Sequence, residues 1–158
     1  MFRPLLKPKA KFEWTPELDH AFTRSKEEII SKIIQGIKTF DPSLTTCLAT
    51  DYSKSGIGFH LLQKKCSCSN ITPICCKDGW SIVFAGSRFL NDAETRYAAI
   101  EGEALSASWA MSKCKHFLLG CKNFVLAVDH RPLLGVLNDK SLGDVENPRL
   151  QRLKEKTL

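Results

Sequence analysis

No stretch of the 158 residues is apolar for long enough to cross a bilayer as a helix, so a helical membrane protein is not expected. No internal repeat and no low-complexity tract is present, which argues against a repeat array or a disordered linker. The start, Met1-Phe-Arg-Pro-Leu-Leu-Lys-Pro-Lys9, is basic but has no continuous apolar stretch behind it; no secretory signal is expected, and an intracellular location follows, with cytoplasm and nucleus both open. Acidic residues are the scarcer sign, 17 against 23 Lys and Arg, which gives a net charge of +6 and a pI near 9.0. That balance suits an anionic partner such as nucleic acid, although a mildly basic solvated surface explains it equally well. Hydrophobic content of 43% and charged content of 25% are ordinary for a globular chain, and the length suits one domain with flanking material. The seven cysteines include Cys66-Ser-Cys68 and Cys75-Cys76, but the usual Cys-x2-Cys metal spacing is absent. These four could gather a tetrahedral zinc; in an intracellular chain the spacing favours unligated loop thiols.

Residues 1–15 form a proline-broken basic lead-in, after which Thr15 can cap a helix with Pro16 in its first turn. Leu18, Ala21, Phe22, Ile29, Ile30, Ile33, Ile34 and Ile37 recur at helical spacing, a stripe that needs something to pack on. Strands are predicted over 44–50 and 56–63, joined by Ser53-Lys54-Ser55-Gly56 as a hairpin, and from Trp80 to Ala85 after a turn at Lys77-Asp78-Gly79. Asn91-Asp92-Ala93-Glu94 has the form of a capping box, with a long amphipathic helix expected from there to Leu118. A fourth strand, Asn123 to Val128, a short helix after Pro132 and a basic helix from Pro148 complete the chain. The order predicts an α/β fold: three antiparallel strands, then a strand parallel to the first across a helical crossover, with helices packed against the mixed sheet.

Within that frame Ala49-Thr50-Asp51 and Ala127-Val128-Asp129 echo each other, each strand closing on Asp with a small residue two places earlier on the same face. Neighbouring parallel strands ending this way bring both carboxylates to the carboxyl edge of the sheet, where open α/β sheets bind ligands. On the intervening helix, Ile100, Ala104, Ala107, Met111, Cys114 and Leu118 define a buried stripe. Glu103 lies about 60° from its middle and Glu101 about 100° away, so Glu103 is expected to lean to the sheet and Glu101 to solvent. Gly102 between them hints at tight packing. Trp109, opposite the stripe, is expected on another helix or on a partner. Three converging carboxylates are hard-oxygen chemistry suited to Mg²⁺ or Mn²⁺, and two such ions about 4 Å apart can flank a phosphodiester. Any one of these acids could instead cap a turn or sit in solvent; the matched Ala-x-Asp endings with an inward Glu favour the set.

The segments 49–58 (Ala-Thr-Asp-Tyr-Ser-Lys-Ser-Gly-Ile-Gly), Gly86-Ser-Arg-Phe89, Arg96-Tyr97 through Glu101-Gly-Glu103-Ala-Leu105, and Val128-Asp-His-Arg-Pro-Leu133 together resemble the ribonuclease H-like region of Ty3/gypsy-type retrotransposon reverse transcriptases. Lys11-Phe-Glu-Trp-Thr-Pro-Glu17 is similar to the connector leading into that region from the polymerase, giving an expected connector over 1–43 and an RNase H-like domain over 44–158. The resemblance implies a catalytic, Mg²⁺-binding set of Asp51, Glu103 and Asp129 that hydrolyses RNA in an RNA–DNA hybrid, leaving 5′-phosphate and 3′-hydroxyl ends. Its partners would be the hybrid and the polymerase portion of the same polyprotein. It also implies a fourth acid after a further helix; Asp139 and Asp144 come too early, so the domain is expected to be incomplete at its C-terminus and the 158 residues alone inactive or impaired. No Tyr-x-Asp-Asp polymerase signature is present, so DNA synthesis is not expected.

Gly56 and Gly58 could let backbone approach the RNA strand, although a hairpin needing positive φ accounts for Gly56 and less well for Gly58. His130 could donate to phosphate, though a strand-end residue more often points to the opposite face. Arg131, with Arg149, Arg152, Lys154 and Lys156, is a candidate phosphate contact; a basic surface helix is the ordinary alternative. A non-catalytic nucleic-acid-binding or tethering module is the second functional reading. A strand-transfer enzyme shares the sheet but places its Glu after the second Asp, the reverse of Glu103 and Asp129.

Overall fold

Apolar and β-branched residues on either side of a serine-rich turn give the hairpin from which the sheet grows. In the computed structural model, which describes residues 2, 5, 11–36, 38–70, 72, 75–76 and 79–157 (without the side chains of 32–36), β1 (Thr46–Tyr52) and β2 (Gly56–Lys64) pair antiparallel. Ser53 closes the turn: its Oγ accepts from the Gly56 N–H at 3.1 Å and its N–H donates to the Gly56 carbonyl at 2.9 Å. β3 (Trp80–Phe89) adds antiparallel to β2, with a register shift at Leu61/Leu62, and runs longer than its sequence predicts because Gly86 to Phe89 stay in register with Phe59 back to Gly56. β4 (Phe124–Ala127) lies parallel to β1, giving the order β3-β2-β1-β4 and the predicted mixed sheet. Of the turn expected at Lys77-Asp78-Gly79, only Gly79 lies among the described residues.

The chain divides into two compact units, residues 1–37 and 38–158. In the first, α1 (Pro16–Gly36) starts where Thr15 Oγ1 accepts from the Leu18 N–H, and its stripe is open to solvent at Phe22, Ile29 and Ile30. Phe2, Trp14 and Phe22 form an aromatic group at its start. The side chains of Ile33 and Ile34, and Ile37, lie outside the described residues. The second unit begins with Lys38, whose N–H donates to the Ile82 carbonyl at 3.1 Å, and Asp41, whose backbone exchanges hydrogen bonds with the buried Gln63 amide.

α2 (Ala99–Leu118) is the crossover between β1 and β4. The capping box expected to start it caps a separate 3₁₀ turn, Glu94–Arg96: Asn91 Oδ1 accepts from the Ala93 and Glu94 N–H groups and the Asn91 N–H donates to Glu94. The chain then extends at Tyr97 and Ala98 before α2 begins. Just past the end of α2, Gly120 takes a φ of 81°, a conformation open to glycine at little cost.

Two hydrophobic groups hold this unit. Leu48, Phe59 and Leu61 of the sheet pack on Ala110 and Cys114 of α2, and Ala104 packs with Leu133, Val145, Leu150 and Leu153 from the C-terminal elements. Those elements are α3 (Arg131–Leu134), which continues as a π turn through Asp139, and α4 (Pro148–Glu155), capped by Asn147. α2 is therefore covered from two directions, which is why Trp109 does not face away as expected: its ring lies 5.3 Å from Phe59 with Arg88 over it at 5.6 Å.

Candidate active site

Parallel pairing aligns Ala49 with Ala127, so Asp51 and Asp129, each two residues further on, leave the sheet side by side. α2 brings Glu103 to meet them, and one carboxylate oxygen from each of Asp51, Glu103 and Asp129 lies within 4.8 Å of the others. Asp51 and Asp129 are exposed while Glu103 is buried, only 5% accessible. β1 continues one residue beyond Asp51, to Tyr52.

Two contacts set the height of α2 over this edge. The Ser106 hydroxyl donates to the Asp51 carbonyl at 2.8 Å and also reaches the Gly58 carbonyl at 3.3 Å, fixing the helix to both strands of the hairpin. The Tyr52 ring lies on Gly102, where a Cβ would come within 2.3 Å of ring carbons. The glycine thus has the packing purpose its position hinted at, and it sits one residue from Glu103.

The electrostatics of Glu103 are those of a carboxyl lacking a counter-charge. Burial, then the neighbouring Asp129 and Asp51 charges, push it up to about 7. Its Oε2 is buried with no hydrogen-bond partner among the described residues. An orphaned acceptor facing two further carboxylates is an environment that a divalent cation relieves. The donor set, all oxygen and all carboxylate, fits Mg²⁺ or Mn²⁺ rather than a softer metal.

Glu101 is not in solvent. It is 7% accessible, because α4 covers the side of the helix that a single-stripe reading leaves open. Its oxygens accept from the Asn147 amide at 2.9 Å, the Arg149 guanidinium at 2.9 Å and the Ala98 N–H at 3.1 Å. Burial alone would raise its pKa, but the bonds from Asn147, Ala98 and Arg149 together hold it below the usual carboxylate value. Glu101 therefore ties α4 to the start of α2.

The basic candidates separate. Arg131 is exposed at the start of α3, beside Asp129, and Arg152 and Lys156 are exposed on and just after α4. Arg149 is committed to Glu101 and stacks on Tyr97 at 4.2 Å. Lys154 is no phosphate contact: it is buried, and its Nζ donates to the carbonyls of Val136, Leu137 and Lys140, closing the π turn. Spacing alone placed it on a basic surface helix; the carbonyls it serves are left open by the turn and could not be read from sequence.

Gly56 does not have positive φ, contrary to the hairpin explanation; a Cβ there would come 2.9 Å from the Arg88 carbonyl, so close cross-strand approach requires the glycine. Gly58, paired directly with Asp51, has ordinary room for a Cβ, 3.6 Å from its nearest neighbour. Cys66, Cys68, Cys75 and Cys76 converge to within 4.8 Å as the second cluster of this kind among the described residues. No described helix is long and apolar enough to cross a membrane.

Residues 41–157 match the family described as the RNase H-like domain found in reverse transcriptase. The chain is 35% identical over 140 residues to the Retrovirus-related Pol polyprotein from transposon 297 of Drosophila melanogaster, covering 87% of this chain and 11% of that polyprotein. It is 28% identical over 130 residues to the corresponding polyprotein from transposon 412 of the same organism, covering 82% and 9%. Against the Transposon Tf2-3 polyprotein of Schizosaccharomyces pombe it is 28% identical over 149 residues, covering 94% and 10%. The chain thus spans about a tenth of the length of these relatives.

Proposed function

Because the chain belongs to the RNase H-like domain family of retrotransposon reverse transcriptases, we propose that Asp51, Glu103 and Asp129 hold divalent magnesium or manganese and hydrolyse the RNA strand of an RNA–DNA hybrid. The single observation carrying this reading is the meeting of three carboxylates from β1, α2 and the segment just after β4, one of them with a buried oxygen that no described residue satisfies. A divalent ion bound there supplies charge neutralisation at the scissile phosphate and a water of lowered pKa.

The chain's own residues do the positioning. Asp51 is anchored through its backbone by Ser106, Glu103 is held against the sheet by the Gly102–Tyr52 contact, and Asp129 precedes α3, where Arg131 is free to meet a phosphate. Gly58 beside Asp51 presents no side chain, which suits the close approach of a sugar–phosphate backbone bearing 2′-hydroxyls. The polymerase portion of a common polyprotein and the hybrid are the proposed partners.

Three carboxylates meet among the described residues, one fewer than the resemblance implies. A polypeptide of these 158 residues alone should therefore cleave weakly, because three carboxylates would hold the divalent ions less tightly than four. The second reading, a hybrid-binding module without catalysis, draws on the same three-acid count.

The test is release of labelled RNA from a hybrid with Mg²⁺ or Mn²⁺, comparing the wild type with Asp51→Asn. Slow cleavage that the substitution lowers by at least the roughly 10–100-fold cost of disturbing a metal site is the expected outcome. Hybrid binding with no cleavage, unaffected by the substitution, would favour the second reading. Robust cleavage by the wild type would overturn the proposed impairment.

A further inference from the structure

Four sulfurs meet at the far end of the β2–β3 hairpin. Cys66 and Cys68 follow β2, Cys75 and Cys76 lie shortly before β3, and all are free cysteines. Sγ–Sγ distances are 3.3 Å for Cys66–Cys75, 2.9 Å for Cys68–Cys76 and 3.8 Å for Cys75–Cys76, and all four atoms lie within 4.8 Å of one another. A tetrahedron of sulfurs about 2.3 Å from a central zinc has edges of about 3.8 Å. The three close separations, 2.9 to 3.8 Å, lie at or below that length and no pair exceeds 4.8 Å, so the sulfurs need shifts of about an ångström or less to surround an ion.

The surroundings hold the two cysteine segments together and leave room for the four sulfurs. The Gly79 carbonyl accepts from the Lys65 and Cys66 N–H groups at 2.8 and 3.3 Å, and the Gly79 N–H donates to the Cys76 carbonyl at 3.3 Å, which locks the two cysteine segments together. A Cβ at residue 79 would come 2.8 Å from Cys66 Sγ and 3.1 Å from Cys76 Sγ, so the absence of a side chain leaves room for the sulfurs. The Trp80 indole N–H is buried, meets no oxygen among the described residues and stands beside Cys75, whose sulfur can accept it. Lys64 Nζ is tied to the carbonyls of Cys68 and Asn70, setting a positive charge beside four groups that would carry negative charge.

We propose that Cys66, Cys68, Cys75 and Cys76 form a structural tetrathiolate zinc site that closes the connection between β2 and β3. Soft sulfur ligands select zinc over the hard ions suited to the carboxylate site, and a ligand set of four with no open position is structural, not catalytic. The connection spans residues 65–79, much longer than the two to five residues of an ordinary hairpin loop, and a metal clip offsets the entropy of closing it. The clip lies at the start of β3, the edge strand, and fixes it where its own pairing is one-sided.

The full 158-residue chain, purified with a phosphine reductant and without chelator, tests this by elemental analysis and cobalt substitution. One tightly held zinc per chain is expected, with cobalt giving the visible bands and charge transfer of a tetrathiolate. Cys68→Ser and Cys76→Ser should lose that signature, while Cys121→Ser and Asp51→Asn keep it; stripping zinc should lower the thermal midpoint of the wild type. A wild-type protein with four freely reactive thiols and no zinc overturns the proposal, as do iron at the site, zinc retained by the serine variants, or Cys66–Cys75 and Cys68–Cys76 disulfides that persist under the reductant. The cobalt spectrum of the wild type decides the matter even where a serine variant fails to fold.

Discussion

Glu103 reports on the charge state of its site. Its carboxyl is raised from the ordinary value to about 7 by burial first and the flanking Asp129 and Asp51 charges second. A group raised in the folded state contributes stability that is fully present below its unfolded pKa and is lost as pH climbs through the folded one. In chelator-treated protein, the thermal midpoint should therefore fall between about pH 4.5 and pH 7 and then level off. Glu103→Gln, which keeps the shape and removes the titration, should flatten that slope. Magnesium affinity should run the other way, rising through the same window as the competing proton leaves. Melts across pH with chelator and with excess Mg²⁺ check both; a wild-type slope unchanged in Glu103→Gln would show that another group is responsible. This behaviour was partly legible in the chain itself. The paired Ala49/Asp51 and Ala127/Asp129 endings obey a period of two and foretell where both acids emerge, but the orphaned Glu103 oxygen depends on packing no periodicity describes.

Among the elements, α2 connects strand ends to chemistry. It touches β1 through Ser106 and Gly102, and α4 through Glu101. Gly102→Ala offers about 1 kcal/mol of helix propensity but drives a methyl to 2.3 Å from the Tyr52 ring, and overpacking costs about 1–3 kcal/mol. The net expected loss is about 1 kcal/mol in urea unfolding, with weaker Mg²⁺ binding because Tyr52 is the neighbour of Asp51. Adding Tyr52→Ala should make the Gly102→Ala cost largely disappear, since the two residues share one contact. Additive losses in that double variant would show that the ring is not what the glycine accommodates. The same helix explains where sequence reasoning stopped. A stripe of Ile100, Ala104 and Ala107 implies one covered face, yet Glu101 and Ser108 are buried too, because α4 and the sheet cover different sides. Likewise Asn91 and Glu94 spell a helix start correctly but for a 3₁₀ turn, since the extended Tyr97 and Ala98 that split it from α2 carry no breaker residue.

For the molecule as a whole, the two hydrophobic groups described for the larger unit come from residues 38–158. Leu48, Phe59, Leu61, Ala110 and Cys114 form one group, and Ala104, Leu133, Val145, Leu150 and Leu153 the other. Every carboxylate of the candidate active site and every cysteine of the proposed zinc site also lies between residues 38 and 158. A chain of that length can bury a core sufficient for independent folding. Removing residues 1–37 should therefore leave a polypeptide that unfolds in one cooperative transition, with its metal responses intact. By contrast, α1 exposes Phe22, Ile29 and Ile30 along one stripe, and a helix in a protein draws most of its stability from packing such an apolar face. The 1–37 peptide alone should accordingly show weak, concentration-dependent helicity. Circular dichroism of both pieces, with Mg²⁺ titrations of the larger one, checks the division. A 38–158 polypeptide that melts without cooperativity, or whose midpoint no longer responds to divalent ions, would show that the carboxylate edge requires the preceding segment to hold its shape.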